Sequence, residues 1–496
     1  MSHRWLDRVF LAAVAANLAP VLWFPFLPTR DGPAHVLGAT WIRELVAGHA
    51  LAVDGLVAWN PAPVPNWFGH AFMALAGAFV GPWVAERLLL ALIVVALPLS
   101  LRYALRSVTA QPTGLEFLAL PLVWGTHLHW GFYNFCVSLA AYLVCVGYWW
   151  RHRGDLATRH LTVWALLLVV TYFSSILALV HVLASVAMLA VFEPAQRLRA
   201  VRLTLAAAVP AMTLWVLFVV LEPVGPRMPT TFPAPLWAAA NLVRLDILRS
   251  GQASDHGAAL VAACAAWALV AYWVLRRPLF VKAAASWPWL ALVLLDVCVL
   301  FLAPTSIGGG TLLTPRQAVF AVFAMVLWMA SQSNRLPNAA VVGGVAICLT
   351  LGMHASRWAH YGSYSQAVQT LIDGSPNSLA GRALFATALD DGLRDQNGVW
   401  PTAHAGAYVA VARGAMLVNQ YELLTSHFPL IATRITGVNT TLRAEGDRHV
   451  EAVLLWGGSE DAMMRVGSQL LGEGTGDCRL AFDTIGPARL FSCLKR

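Results

Sequence analysis

Three stretches of this chain carry residue types that do chemistry. The first is "TRDGPAH" (Thr29–His35), where Gly32-Pro33 interrupts the backbone and sets Asp31 at a turn. A carboxylate that serves as a general base needs burial or a charged neighbour to tune it, and reach to the hydroxyl it deprotonates. Arg30 and His35 are the candidate neighbours. Asp31 also occupies the N-cap position of "AHVLGATWIRELVAG", whose apolar residues recur at helical spacing. On sequence mechanics alone the cap is the simpler reading. Glu44 and Asp54, further along, read as solvated charges.

The second stretch, "THLHWGFYNF", gathers His127, His129, Trp130, Tyr133 and Asn134. Such density suits stacking against a sugar, and it equally suits an aromatic belt at a membrane interface. Two histidines at i, i+2 with no third ligand do not make a metal site, and no cofactor is expected. The third stretch is "TSIGGGTLLTPRQAVF". Its glycines let the backbone approach a ligand or move as a lid. Arg316, the sole basic residue there, can hold a phosphate bidentately or snorkel to the interface. Asp296 lies within the apolar run "LALVLLDVCVLF", where a carboxylate costs roughly 2.5–3.5 kcal/mol on insertion scales. It calls for a polar partner on a neighbouring helix or a functional role. His181 reads as a core hydrogen-bonding group.

The elements that position these residues are membrane elements. The chain has 496 residues, 58% hydrophobic and 12% charged, against about 25% charged in soluble domains. A formal charge of +8 on such a chain does not point to nucleic acid. Runs of roughly 20 apolar residues predict about 11 transmembrane helices, at 9–27, 84–101, 115–128, 132–150, 161–174, 176–193, 203–221, 257–275, 286–303, 317–332 and 338–353. Residues 66–81 read as a helix at the outer face, so the first outer loop runs from 28 to 83. Arg102, Arg106, Arg151, Arg153, Arg197, Arg199, Arg276 and Arg277 then fall on the N-terminal side of the membrane, which the positive-inside rule makes cytoplasmic.

The expected organisation is a transmembrane domain, 1–353, followed by a soluble outer α/β domain, 354–496. Strands are expected around "RALFATAL" and "HVEAVLLWG". The end, "CRLAFDTIGPARLFSC", reads as a hairpin. With Ile485-Gly486 as its turn, Cys478 and Cys493 would face each other directly, and an oxidising outer compartment would pair them as a disulfide. The soluble part has His404, His427 and His449 but no G-x-S-x-G nucleophile. No internal repeat points to an inverted-repeat transporter.

The order of parts resembles the GT-C superfamily of polytopic glycosyltransferases that use polyprenyl-phosphate-linked sugars. An outer loop with an early carboxylate, "RDGPAH", follows the first span. Then "NPAPVPNWFGHAFMALAGAFVGPWVAERLLLAL" is similar to that family's N-x-x-P…G…a-x-R-L stretch. The resemblance covers the first hundred residues best, and the remainder by architecture. It implies an inverting glycosyltransferase of the bacterial inner membrane, multi-pass, with a cytoplasmic N-terminus and a periplasmic C-terminal domain. Its partners would be a polyprenyl-phosphate sugar donor, membrane lipids, and an envelope glycan, lipid or protein acceptor. Asp31 would be the base and Arg316 would hold the lipid phosphate. Two departures stand out: Gly32 occupies the place of a paired acidic residue, and "HLHWGFYNF" lacks the second acidic site. They imply either a metal-independent enzyme or a non-catalytic scaffold or glycan-binding subunit in envelope polysaccharide assembly.

Overall fold

In a computed structural model, residues 3–48, 57–155, 157–192, 197–222, 228–250, 255–276, 286–308, 310–333, 336–390, 401–432, 451–457, 459–471, 478–486 and 488–495 are described. The helices are α1 (His3–Ala16), α2 (Ala19–Trp23), α3 (Gly32–Ala47), α4 (Phe68–Val80), α5 (Pro82–Val108), α6 (Ala119–Val123), α7 (Thr126–His129), α8 (Tyr133–His152), α9 (Thr158–Ser174), α10 (Ile176–Val191), α11 (Arg197–Leu221), α12 (Pro235–Arg244), α13 (His256–Leu275), α14 (Trp287–Leu302), α15 (Leu313–Ala330), α16 (Ala339–Gly374), α17 (Gly406–Arg413) and α18 (Glu460–Leu471). The strands are β1 (Val57–Trp59), β2 (Met228–Thr231), β3 (Ser306–Gly308), β4 (Ala383–Asp390), β5 (Met416–Leu417), β6 (Leu430–Ala432), β7 (Ala452–Gly457), β8 (Cys478–Ile485) and β9 (Ala488–Lys495).

Among the described residues six helices are long and apolar enough to cross a membrane: Arg4–Trp23, Pro82–Val108, Val201–Leu221, His256–Leu275, Leu313–Ala330 and Ala339–Gly374. The chain is thus a helical membrane protein. The apolar helices α4, α10 and α14 are shorter. At 1.5 Å per residue the 13 residues of α4 reach only about 20 Å, well under a hydrocarbon core of about 30 Å. The expected span at 115–128 is not one helix. It is a 3-10 turn at Leu115–Leu118 followed by α6 and α7. Pro121 limits helical hydrogen bonding there, and Gly125 lies so close to the Ile247 carbonyl that a Cβ would overlap it.

Helix α16 also differs from expectation, because it runs unbroken through the boundary placed at 353 and on to Gly374. Its 36 residues reach about 54 Å, longer than any bilayer core. Beyond it, five strands form a mixed sheet in the order β5-β4-β7-β9-β8. Strand β4 runs parallel to β5 and β7, while β9 is antiparallel to β7 and β8. The hairpin exists, but Ile485 itself pairs with Ala488, so the chain reverses one residue later than expected. A one-residue move of the turn shifts the pairing by two. Cys478 therefore lies opposite Lys495 and Cys493 opposite Leu480, not opposite each other. The side chains of both cysteines lie outside the described residues, as do Asp54 and His449.

The C-terminal segment is woven into the first loop. Strand β6 pairs antiparallel with β1, matching Val57 with Ala432 and Trp59 with Leu430. One buried apolar cluster runs from Leu89 and Tyr142 of the membrane helices to Leu384 and Leu454 of the sheet. Two buried charged groups of the helical core are paired. Asp296 meets His181 at 3.1 Å, as its intramembrane position required. Arg357 bridges Asp255 at 2.7 Å, both side chains fully buried, and donates further hydrogen bonds to the carbonyls of Trp124 and Leu248.

Candidate functional site

Asp31 sits at the N-cap position of α3, yet its side chain caps nothing. The simpler sequence reading therefore fails on geometry. Its backbone (φ −91°, ψ −10°) is already helical, where a cap residue is usually extended. The turn is held from below: the amides of Arg30 and Asp31 donate to the carbonyls of His129 (2.9 Å) and Trp130 (3.2 Å). That approach requires a glycine at 131, which has φ +78° and where a Cβ would stand 2.6 Å from the Asp31 amide nitrogen. The freed carboxylate faces His404, with Nε2 to Oδ1 at 3.5 Å, and the Arg30 guanidinium at 3.8 Å. It is largely buried, with 12% of its side-chain surface exposed. His404 is pushed below the usual imidazole range by burial and by the nearby Arg30 charge, against the opposing carboxylates of Asp31 and Glu422.

A ladder of alternating cations and rings borders the carboxylate. The Arg30 guanidinium lies 4.5 Å over Trp130, Trp130 stacks on Phe132 at 5.7 Å, and Arg316 lies 3.8 Å over Phe132. This ladder joins Asp31 and Arg316, 285 residues apart in the chain, in one cluster. Among the described residues Arg316 makes no ion pair, and its buried Nε has no hydrogen-bond partner. A buried donor without an acceptor is costly, and the group is available to an anion. The large apolar cavity of the molecule, about 530 Å³ and bordered on α15 by Ala321, Val322, Met325 and Met329, lies on the other face of that helix from Arg316.

The other residues of "HLHWGFYNF" are engaged within the fold. His127 Nε2 bonds the Pro315 carbonyl at 3.1 Å; His129 is held by the Gly125 carbonyl (3.0 Å) and the Tyr361 hydroxyl (2.8 Å). Asn134 accepts from the Gly69 amide (2.6 Å) and donates to the Asn66 carbonyl (3.2 Å). The Tyr133 hydroxyl donates to Glu86 at 2.7 Å and accepts from Thr29 at 2.8 Å, while Tyr408 donates to the same carboxyl at 2.8 and 3.0 Å. Trp130 and Phe132, both half-buried, are engaged through the ladder of rings and guanidinium groups.

His35 turns away from Asp31. Its Nδ1 contacts the Glu422 carboxylate and its Nε2 donates to the Gly131 carbonyl at 3.0 Å. His70 of α4 reaches the same carboxylate, 3.1 and 3.3 Å from its two oxygens. Gln420 bonds that carboxylate at 3.3 Å and the Ala34 carbonyl at 2.8 Å. Burial pushes the Glu422 carboxyl up, but the charges and hydrogen bonds of His70 and His35 outweigh it and hold it at about 2. For His35, burial works downward, and the Glu422 carboxylate, then Asp31, more than offset it.

Sequence reasoning missed Glu422, His70, Tyr421 and Glu86, and left His404 without a role. No local motif marks them, because each gains its meaning from a partner far away in the chain. No protein-family model matches this chain, and no curated protein is significantly similar to it.

Proposed function

We propose that the protein is a glycosyltransferase of the GT-C type, transferring a sugar from a polyprenyl-phosphate donor to an acceptor hydroxyl at the outer face of the bacterial inner membrane. The reading rests on one observation: an Asp31 carboxylate that caps no helix and an Arg316 guanidinium, whose Nε has no hydrogen-bond partner among the described residues, share a cluster lined by Trp130 and Phe132. In the reaction Asp31 takes the acceptor proton while the acceptor oxygen bonds to the anomeric carbon. The bond from that carbon to the phosphate oxygen breaks with inversion, and the lipid phosphate leaves with its charge held by Arg316 and Arg30. Trp130, half-buried between Arg30 and Phe132, offers the exposed part of its ring to the sugar. His404 beside Asp31 fixes the carboxylate and holds its proton near the site. A base positioned in this way contributes roughly 10²–10⁴-fold.

The test is transfer from radiolabelled polyprenyl-phosphate sugars in membranes containing the full chain. Asp31→Asn is expected to lower transfer at least about 100-fold with the protein still folded. Full activity in that variant would remove Asp31 from the mechanism.

A second reading, a non-catalytic scaffold or glycan-binding subunit of envelope polysaccharide assembly, is favoured by Gly32. A Cβ there would overlap the Tyr133 hydroxyl and Thr29 Oγ1 and stand 2.9 Å from Glu86 Oε1, so this fold has no room for a paired acid beside Asp31. Sugar binding without turnover, unchanged in Asp31→Asn, would support it.

A further inference from the structure

We propose that His35, His70 and Glu422 bind a divalent transition metal ion, with zinc the best match, and that the ion locks the C-terminal segment onto the first loop. This inference does not depend on the transferase reading. The ligand atoms of the three residues all lie within 4.8 Å of one another, and all three residues are buried. The two imidazoles are 5.1 Å apart and nearly perpendicular, at 83°, so they point at the carboxylate from different directions instead of stacking.

The hydrogen-bond inventory leaves a place at the centre for a proton or a metal ion. His35 Nε2 faces a carbonyl, which only accepts, so that nitrogen carries the proton. Nδ1 of the neutral ring is then a lone pair, and it faces a carboxylate oxygen. Two acceptors in contact repel unless something lies between them: a proton, held on the ring or on the carboxyl, or a metal ion. The surroundings favour the metal. The Gly131 carbonyl fixes the His35 tautomer as the outer partners of metal-bound imidazoles do, and Gln420 orients the carboxylate in the same manner. Two of the ligands project from the helices α3 and α4, and a glycine at 38 leaves room for the third, because a Cβ there would stand 2.6 Å from Glu422 Oε2. Phe428 packs against both imidazoles, at 5.8 and 5.6 Å, and covers the group with an apolar ring.

A donor set of two nitrogens and one carboxylate suits zinc and its first-row neighbours, and disfavours magnesium and calcium, which take oxygen ligands. Three protein ligands leave a fourth position for water or another oxygen. The group is distinct from the Asp31 carboxylate, yet His35 lies one helical turn from it and the His35 amide donates to the Asp31 carbonyl at 3.1 Å. The three ligands are therefore positioning residues. They join α3, α4 and the turn at Tyr421–Leu424, and so hold His404 and Tyr421 over Asp31.

The experiment uses the full chain in detergent, purified on a tag free of histidine, with metal content measured by mass spectrometry after incubation with zinc. About one equivalent of tightly held metal per chain is expected, with a melting temperature that falls by several degrees on chelation and recovers on adding zinc. His70→Asn and Glu422→Gln are expected to lose the ion, while His152→Asn, far from the cluster, keeps it. Should the first two variants not fold, X-ray absorption of the zinc-loaded wild type decides: two imidazoles and oxygen support the site, and sulfur ligation overturns it. A wild-type chain that holds less than about a tenth of an equivalent, with a melting temperature indifferent to zinc and chelator, would mean that the central cation is a proton and would overturn the proposal. Retention of the ion by both variants would overturn it as well.

Discussion

Replacing Gly32 by alanine tests how the Asp31 turn is built. The added methyl would overlap the Tyr133 hydroxyl and Thr29 Oγ1, and it would lie 2.9 Å from Glu86 Oε1. These atoms form a chain in which Thr29 donates to Tyr133 (2.8 Å) and Tyr133 to Glu86 (2.7 Å). The methyl must displace the tyrosine hydroxyl. Overpacking costs roughly 1–3 kcal/mol, and driving a buried hydroxyl off a carboxyl group costs about another 1–3, for about 4 kcal/mol in all. Tyr133→Phe removes the displaced oxygen in advance. In that background Gly32→Ala should cost no more than about 2 kcal/mol, a strong non-additivity of the sort a double-mutant cycle resolves. The assay is equilibrium unfolding of all four proteins in mixed micelles. Equal costs in the two backgrounds, or a loss under about 1 kcal/mol in the single variant, would refute this account of why glycine stands there.

Other outcomes follow from the same geometry. Arg316→Lys keeps the charge but loses the planar fork and the close stacking on Phe132, so under the proposed function the apparent affinity for a lipid-phosphate donor should fall roughly tenfold in initial-rate assays. Arg357→Ala leaves the Asp255 carboxylate buried with no ion-pair partner and should destabilise the protein by about 3–5 kcal/mol in the same unfolding assay. His404 titrates below its ordinary value of 6.5 in the folded protein, chiefly through burial. Between its folded value and 6.5 the unfolded chain binds the extra proton more readily, so stability rises with pH across that window and is complete above about 6.5. Comparing His404→Asn with the wild type from pH 5 to 8 isolates this term from those of Asp31, Arg30, Glu422 and His35. A wild-type profile no steeper than the variant's would contradict it.

The parts legible in the sequence were those written locally. The apolar runs declared a membrane protein, but Gly32-Pro33 open α3 where a break was expected, and Arg316 lies inside the span it was expected to precede. Where a single residue shifted the outcome, the reading slipped. Pro121 and Gly125 broke an expected span into short helices, and the hairpin turn moved by one residue and separated Cys478 from Cys493 by two positions of register. The cap reading of Asp31 failed because its competitors, His404 and Arg30, were not both local. Glu422 was illegible for the same reason. In sequence it is an ordinary acid in "NQYELL", and it becomes the centre of a buried cluster only when α3 and α4 are folded against it.

The pairing of β1 with β6 has a consequence for how the protein is made. His35 and Glu422 are separated by 387 residues, a stretch that takes about 20–80 s to synthesise at ~5–20 residues per second. During that interval the first loop waits with β1 an unpaired edge and with His35 and His70 lacking their carboxylate. The membrane helices can be inserted one by one as they emerge, but the carboxylate at Asp31 acquires its surroundings only when nearly the whole chain has been translated. A chain released before the segment through Ala432 had emerged would therefore carry the spans without the cluster around Glu422.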